Sequence, residues 1–400
     1  MVRRLIWAIA RGLCYRRQMQ FTNFDSAAFL RDTWQQQPLL IRNPWAGWHN
    51  PLGPDELAGL ACEEGVEARL IRQTGTKWQM EEGHFSESRF GKLGKRPWTL
   101  LVQAVDQYVA EVAALIEPFR FVPNWRIDDV MVSYASDGGG VGPHFDQYDV
   151  FLVQGLGQRR WQIGQLCDAQ TPLLPHDDLR LLADFQPTAE WLLDPGDILY
   201  VPPRFAHNGV AVGDDCMTYS IGFRAPSQSE LISHWCDAVL DSLGDDDRYA
   251  DPGLPTQANP GEIMPHALEA LRAMIAARLD DREGFARWFG RFTTTPKYPE
   301  TDWQLEAPVA RAALRKAVIA GRTLRRNPAS RFAFIRHGGG ALALYIDGEQ
   351  TVCDPEAAAL AERICADASF ALDPALVAGK SAMALLEMLF NQGSLAFDAD

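Results

Sequence analysis

The spacing of apolar residues along the chain changes period near residue 125. Upstream it is mainly helical. Asp55–Glu63 follows a Gly53-Pro54 start and repeats apolar residues on one helical face. Leu101, Val105, Tyr108, Val112 and Ile116 recur at three- and four-residue steps, which predicts a helix from Pro97 to about Phe119. Pro38–Arg42 reads as extended, and 67–72 with 77–80 reads as a hairpin around Thr74-Gly75. From Trp125 the pattern turns to β. Strand formers around Asp128-Asp129 precede short strands at 149–154, 160–163, 190–194, 198–201 and 216–223, separated by Gly, Pro and Asp turns. Short strands with regular turns predict a sandwich or barrel rather than a parallel α/β sheet.

Beyond this β region the helical period returns. Ser227-Gln-Ser-Glu230 is a capping box that opens a helix over 228–243, and a second helical region covers 264–292. Two or three helices outside a barrel need an apolar partner, either the barrel or a second copy of the chain. The tail, 305–400, reads as a helix, strands at 331–335 and 342–346 around Gly338–Gly340, helices at 355–366 and 380–391, and a strand at 394–397. That order suits a small winged-helix-like α+β unit.

Composition adds bounds. With 400 residues, two or three domains are expected, and 47% hydrophobic with 22% charged residues describes a soluble globular chain. No apolar run is long enough to span a bilayer. The apolar core of Met1–Arg17 is only about six residues long before Arg11, short for a signal peptide. Residues 1–18 are therefore read as an N-terminal extension, with Met19 as an alternative start. Seven scattered cysteines form neither a disulfide framework nor a zinc module, which suits a reducing, cytoplasmic setting. A net charge of −14 argues against a general nucleic-acid binder and favours a basic partner.

The chemistry concentrates in 142–161. His144-Phe-Asp146 enters an apolar run, and His207 lies 63 residues beyond His144, after Pro195-Gly-Asp-Ile-Leu-Tyr-Val-Pro-Pro203. Two histidines and a carboxylate on one face of a metal leave three positions open, the ligand set of non-haem Fe(II) oxygenases. A 2-oxo acid can chelate two of those positions and leave the third for dioxygen. Its far carboxylate needs a buried cation, for which Arg159 or Arg160 is placed on the next strand. Strand parity puts His144, Asp146 and Tyr148 on one face of an extended segment, and Asp129, Met131 and Ser133 on one face of the strand before it. Gly138–Gly140 reads as a flexible loop. Each residue also has a structural reading: a loop histidine, a capping aspartate, a solvated arginine pair, a surface turn at Asp128-Asp129. It is their coincidence, in order, that points to a site.

These segments resemble the JmjC-type, cupin-fold 2-oxoglutarate oxygenases, and among them the bacterial ribosomal oxygenases that hydroxylate an arginine of large-subunit ribosomal protein L-sixteen. The resemblance rests on Asp55-Glu-Leu-Ala-Gly-Leu-Ala, Trp125-Arg-Ile-Asp-Asp, the stretch from Gly138 to Phe151, Pro195–Pro203 and Tyr219-Ser-Ile-Gly-Phe-Arg-Ala-Pro. It implies an α+β chain with a double-stranded β-helix catalytic domain over 19–226, a helical dimerisation region over 227–304 and a winged-helix-like domain over 305–400. It further implies His144, Asp146 and His207 as ligands of Fe(II), Arg159 with Ser133 on 2-oxoglutarate, dioxygen as the second cosubstrate, and Asp129, Met131 and Tyr148 as the target-side pocket. A large-subunit ribosomal protein would be the substrate and a homodimer the assembly. Thr218 stands where the resemblance leads one to expect asparagine, which puts a cosubstrate contact there in question. The basic stretch 311–336 is read as a solvated face, with weak ribosomal RNA contact as the alternative. Rival readings keep the chemistry but change the target to another residue such as histidine, or make the chain a non-catalytic cupin regulator or a zinc cupin isomerase.

Overall fold

The structure is a computed structural model that describes residues 19–398 except Thr76 and Lys95, so the extension expected over 1–18 lies outside the described residues. The larger sheet has nine strands: β1 Leu39–Ile41, β2 Ala68–Thr74, β3 Lys77–Glu82, β4 Trp98–Val102, β5 Ile127–Ala135, β6 Asp149–Leu166, β7 Ala189–Leu193, β8 Ile198–Val201 and β9 Phe205–Phe223. Their order is β1-β8-β6-β9-β5-β4-β2-β3, with β7 also on β6 and every pairing antiparallel.

Two long strands turn this sheet into a barrel. Residues 150–153 of β6 pair with β8 and 159–163 pair with β7, while β9 runs alongside both stretches. Register shifts between Gln154 and Gln158 bend the ladder between them. The strands expected at 149–154 and 160–163 are thus one bent strand, and the strand expected at 216–223 begins at Phe205. Both faces of β6 are buried, which explains its apolar run. Val150 and Leu152 join Trp161, Ile163, Leu193, Leu199 and Val201 inside. Phe151 and Val153 face the larger aromatic cluster under the N-terminal segments, where Phe29, Trp34, Phe119, Tyr200 and Phe223 ring Phe151. Asp149, fully buried at the start of β6, is held by Tyr200, Gln35 and Arg126 at 2.6, 2.8 and 3.1 Å.

The helix expected from Pro97 to Phe119 does not form. Trp98–Val102 is β4, clamped between β2 and β5, and only short turns follow at Val105–Gln107, Ala110–Ala113 and Ala114–Phe119. Thr99–Val102 is continuously buried, so the sheet uses both its faces. Ala104, at φ 52°, then breaks any helix before it can start, and Pro118 removes a donor at the far end.

Among the helices, Gln228–Leu240 opens with the expected capping box: the Glu230 amide donates to Ser227 Oγ at 3.1 Å and Ser227 N–H to Glu230 Oε2 at 3.3 Å. The region 264–292 is two helices, Pro265–Leu279 and Arg282–Thr294, divided where the Asp281 side chain caps Gly284. The second packs on the sheet formed by β11 Phe332–Arg336, β12 Leu342–Ile346 and β13 Glu349–Cys353. Gly290 sits so close to the Tyr345 ring that a Cβ would come within 2.5 Å. This helix therefore packs with the C-terminal unit, ahead of the boundary expected at 304/305. The rest of that unit has a second sheet, β14-β10-β15 (Ser369–Ala371, Thr323–Arg326, Leu395–Phe397), and helices Arg311–Ile319, Pro355–Ala366 and Lys380–Asn391 around one apolar core. No helix among the described residues is long and apolar enough to cross a membrane.

Candidate metal centre

The approach to the site is irregular where extended chain was expected. Residues 142–148 make only one bridge, His144 to His207, and β6 starts at Asp149. Gly142, at φ 85°, is hemmed in by Leu181 and Trp78, which leave no room for a Cβ. The Gly138–Gly140 loop is pinned rather than flexible: Gly138 N–H donates to Ala211 O and Ala211 N–H returns to Gly139 O. At the other side, β8 ends at Val201, Pro202-Pro203 and a left-handed Arg204 make the turn, and Arg204 N–H donates to Asp146 O at 2.7 Å. A loop and a turn, held to each other, therefore present the three side chains.

His144 and His207 exchange main-chain hydrogen bonds of 3.0 and 2.8 Å. Each ring Nδ1 lies beside a carbonyl, Gly142 O at 2.9 Å and Phe205 O at 3.0 Å. A carbonyl only accepts, so both Nδ1 atoms carry a proton, which leaves each Nε2 as the ring nitrogen available to a metal. Asp146 Oδ2 lies 4.0 Å from His144 Nε2 and 3.6 Å from His207 Nε2, and the three ligand atoms all fall within 4.8 Å of one another. Burial first, then His144, lowers the His207 pKa to about 4, so the ring is neutral and can donate. Two imidazoles and one carboxylate, converging with no Lys or Arg paired to the carboxylate among the described residues, fit a divalent cation.

The floor of the barrel continues from this triad. The Trp161 ring is 5.9 Å from that of His207, and the Arg159 guanidinium is 5.8 Å from the Trp161 ring centroid. Gly209 makes room for the indole, since a Cβ there would meet it at 2.6 Å. Arg159 is 3% exposed, and its Nε and Nη2 have no hydrogen-bond partner; Trp161 Nε1 has none either. A buried guanidinium with two unused donors is costly unless an anion arrives, so these residues fit a carboxylate-bearing ligand. Arg160, the alternative, points the other way and pairs with Glu190 at 3.5 Å. Trp161 was missed at the sequence level, although it shares strand parity with Arg159.

The remaining expected residues are more mixed. Ser133 is buried, and its Oγ donates to Thr218 O at 3.4 Å. Thr218 donates its hydroxyl to Gln154 Oε1 at 3.0 Å, so the residue in the place of the expected asparagine is engaged within the barrel wall. Asp129 is buried in β5, not on a surface turn, and its Oδ2 accepts from Gln103 at 2.8 Å and Lys297 at 2.7 Å. Burial and then Asp128 raise its pKa, against Lys297 and Gln103. Met131 is half-buried on the same strand. Tyr148 keeps 44% of its surface exposed, yet desolvation of its hydroxyl, then Asp146, then Asp129 and Asp128, raise the phenol pKa. The charges of both Asp146 and Asp129 act on this one phenol. Lys297 and Gln103 carry no local motif and were not foreseen. The basic stretch 311–336 is largely spent internally: Arg311 pairs with Glu387, Arg325 with Asp398, Arg331 with Asp128 and Arg336 with Glu362.

A barrel of this topology with a His-x-Asp…His cluster at its mouth and an arginine in its floor defines the JmjC class of oxygenase folds. Residues 114–231 match the family model of the JmjC domain, and residues 277–396 match that of the ROXA-like winged helix. The chain belongs to the ribosomal oxygenase family. It is 43% identical over 270 residues to the ribosomal protein uL16 3-hydroxylase of Escherichia coli, covering 68% of this chain and 71% of that one. It is 38% identical over 275 residues to a probable ribosomal oxygenase of Haemophilus influenzae, covering 65% and 66%. The solved structure of YcfD, a ribosomal oxygenase from Escherichia coli, in complex with cobalt and 2-oxoglutarate superposes with a TM-score of 0.81 at 35% identity, over 95% of this chain and all of that one.

Proposed function

We propose that this protein is an Fe(II)- and 2-oxoglutarate-dependent oxygenase that hydroxylates an arginine side chain of the large-subunit ribosomal protein uL16. The observation that carries the reading is the pairing, in one barrel, of a preformed His144–Asp146–His207 donor set with a buried Arg159 whose Nε and Nη2 are unused. His144, Asp146 and His207 hold the metal through Nε2, a carboxylate oxygen and Nε2. Arg159 binds the far carboxylate of 2-oxoglutarate, with Ser133 beside it. When bound, metal and 2-oxoglutarate together supply the activation of dioxygen needed to place oxygen on an unactivated carbon. The chain's own contribution is orientation and exclusion of water. Trp161 and Leu152 wall the interior, Met131 and Tyr148 flank the aliphatic stem of the target arginine, and Asp129 receives its guanidinium.

Assembly as a homodimer is part of this proposal. The helix Pro265–Leu279 buries no residue, and Leu268, Leu271, Ile275 and Leu279 form a stripe along it with 39–60% of each exposed. A stripe of that kind on a water-facing helix calls for a partner, and a second copy is the simplest. A cytoplasmic location is part of the same proposal, supported by a ribosomal protein as the substrate. An RNA contact through 311–336 would rest on Arg315 and Lys316, both exposed.

The test is intact-mass analysis of ribosomal proteins from cells with and without the gene, alongside succinate formation by the purified enzyme with Fe(II), 2-oxoglutarate and an arginine-containing uL16 peptide. A gain of one oxygen mass on uL16, dependent on the gene, is expected; its absence, with no succinate formed, sinks the reading. Ile275→Glu should turn a sedimenting dimer into a monomer.

A further inference from the structure

The loop that leaves the helix Arg282–Thr294 returns to the barrel and lays Lys297 against its acidic rim. The Lys297 ammonium is 2.7 Å from Asp129 Oδ2 and 3.4 Å from Asp128 Oδ2. The next residue, Tyr298, fastens the loop on the other side through a 3.1 Å hydrogen bond to Glu67. Arg331, reaching across from the C-terminal unit, takes Asp128 Oδ1 at 2.7 Å. Asp106, the third acid of this cluster, keeps its proton because burial and then Asp129 push its pKa up to about 8, so the two ionised carboxylates already have two paired cations. The Lys297 side chain is 23% exposed and that of Asp129 4%, so the lysine side chain has more access to water than the acid it neutralises. Both hydrogen bonds to Asp129 fall on Oδ2; none among the described residues reaches Oδ1.

A target guanidinium arriving at Asp129 would leave a half-buried cluster with one positive charge too many. One resident cation has to withdraw. Arg331 is anchored in a strand-flanking position and donates to Asp128; Lys297 is a flexible stem on an irregular loop, nearer to water. We propose that Lys297 is a resident surrogate cation on Asp129 which the substrate side chain displaces, and that this competition selects guanidinium over ammonium. The inference rests on the reading that Asp129 receives the target side chain. Its physical basis is the geometry of the two cations. An incoming ammonium would replace like with like and gain nothing. A planar guanidinium can pair with Oδ1 as well as Oδ2, which Lys297 does not.

The experiment uses the full-length protein with Fe(II) and 2-oxoglutarate under anaerobic conditions, where binding is read without turnover. The probes are a fluorescent uL16 peptide containing the target arginine and the same peptide with lysine in its place, followed by fluorescence polarisation. Lys297→Met should tighten the arginine peptide by roughly five- to thirtyfold, because the substrate then supplies the only counter-charge to a partly buried acid. It should also admit the lysine peptide, which the unaltered protein binds weakly. Steady-state KM should fall in parallel, with kcat little changed. Lys297→Gln, which keeps a hydrogen bond to Asp129 without the charge, should act in the same direction and decides the matter if the Met variant melts early. Unchanged or weaker binding of the arginine peptide by the folded variant overturns the surrogate-cation role. Asp129→Asn separates this from the underlying reading: if that variant binds the arginine peptide as tightly as the unaltered protein, the placement of the target side chain is itself wrong, whatever the Lys297 variants do.

Discussion

Asp129 and Asp146 stand 17 positions apart, both act on the Tyr148 phenol, and they lie in opposite electrostatic settings. Asp146 faces two imidazoles and, among the described residues, no Lys or Arg. Asp129 lies in a buried acidic cluster with Asp106 and Asp128 and is held by Lys297 and Gln103. The difference separates two uses of a carboxylate. One keeps its lone pairs available to a cation that the fold does not provide; the other is supplied with a cation by the fold. Residue type and sequence neighbourhood do not distinguish them, and the partners do.

The comparison is most sharply tested by exchanging each acid for its amide. Asp146→Asn should abolish saturable Co(II) binding, followed by visible absorption, and bring 2-oxoglutarate turnover to background, because the site loses its anionic ligand. Asp129→Asn should bind Co(II) as the unaltered protein does. Loss of metal in both variants would merge the two settings into one. A smaller effect is expected deeper in the barrel. Arg159→Met should raise the KM for 2-oxoglutarate by roughly thirtyfold or more, the cost of removing one partner of a buried charge pair, and leave Co(II) affinity in place. An unchanged KM would assign the unused donors of Arg159 to some other anion.

The smallest effect concerns the acidic cluster itself. Asp106 accepts the Val130 amide at 2.8 Å, and burial first, then Asp129, push its pKa up to about 8. A carboxyl raised above its unfolded value holds its proton in the folded state after the unfolded chain has released it. Its contribution to stability is therefore full in acid and is lost as pH rises from about 4 through about 8. Thermal melts of the unaltered protein should decline over that window, and Asp106→Asn, which keeps the acceptor, should flatten the decline by a few degrees. Parallel pH profiles for the two proteins would show that Asp106 is ionised like an exposed acid.

Much of this arrangement was legible in the sequence, for identifiable reasons. The convergence of His144, Asp146 and His207 could be anticipated because metal chemistry restricts residue type and the Pro202-Pro203 turn marks the approach to His207. Arg159 could be narrowed to a pair, and the inward parity it shares with Trp161 separates it from Arg160. The path of 142–148 was misjudged because main-chain bridging to a strand 63 residues away, rather than local propensity, shapes it. The segment 98–102 was misjudged because a strand buried on both faces and a helix can show the same apolar spacing. Lys297 lay beyond reach altogether: it meets Asp129 across 168 residues, and nothing in Thr-Pro-Lys-Tyr announces the contact.

The paired main-chain hydrogen bonds between His144 and His207 also bear on the order in which fold and metal come together. In a zinc finger the ligands gather only when the ion binds, so loading and folding are one event. Here the closing of the sheet sets the spacing of the two rings beforehand. A socket set in this way is expected to be emptied and refilled without unfolding. Competition among divalent ions for such a socket follows coordination preference and supply, and copper or nickel would outbid iron on affinity alone. The burden of choosing iron then falls on the cell's metal pool rather than on the protein.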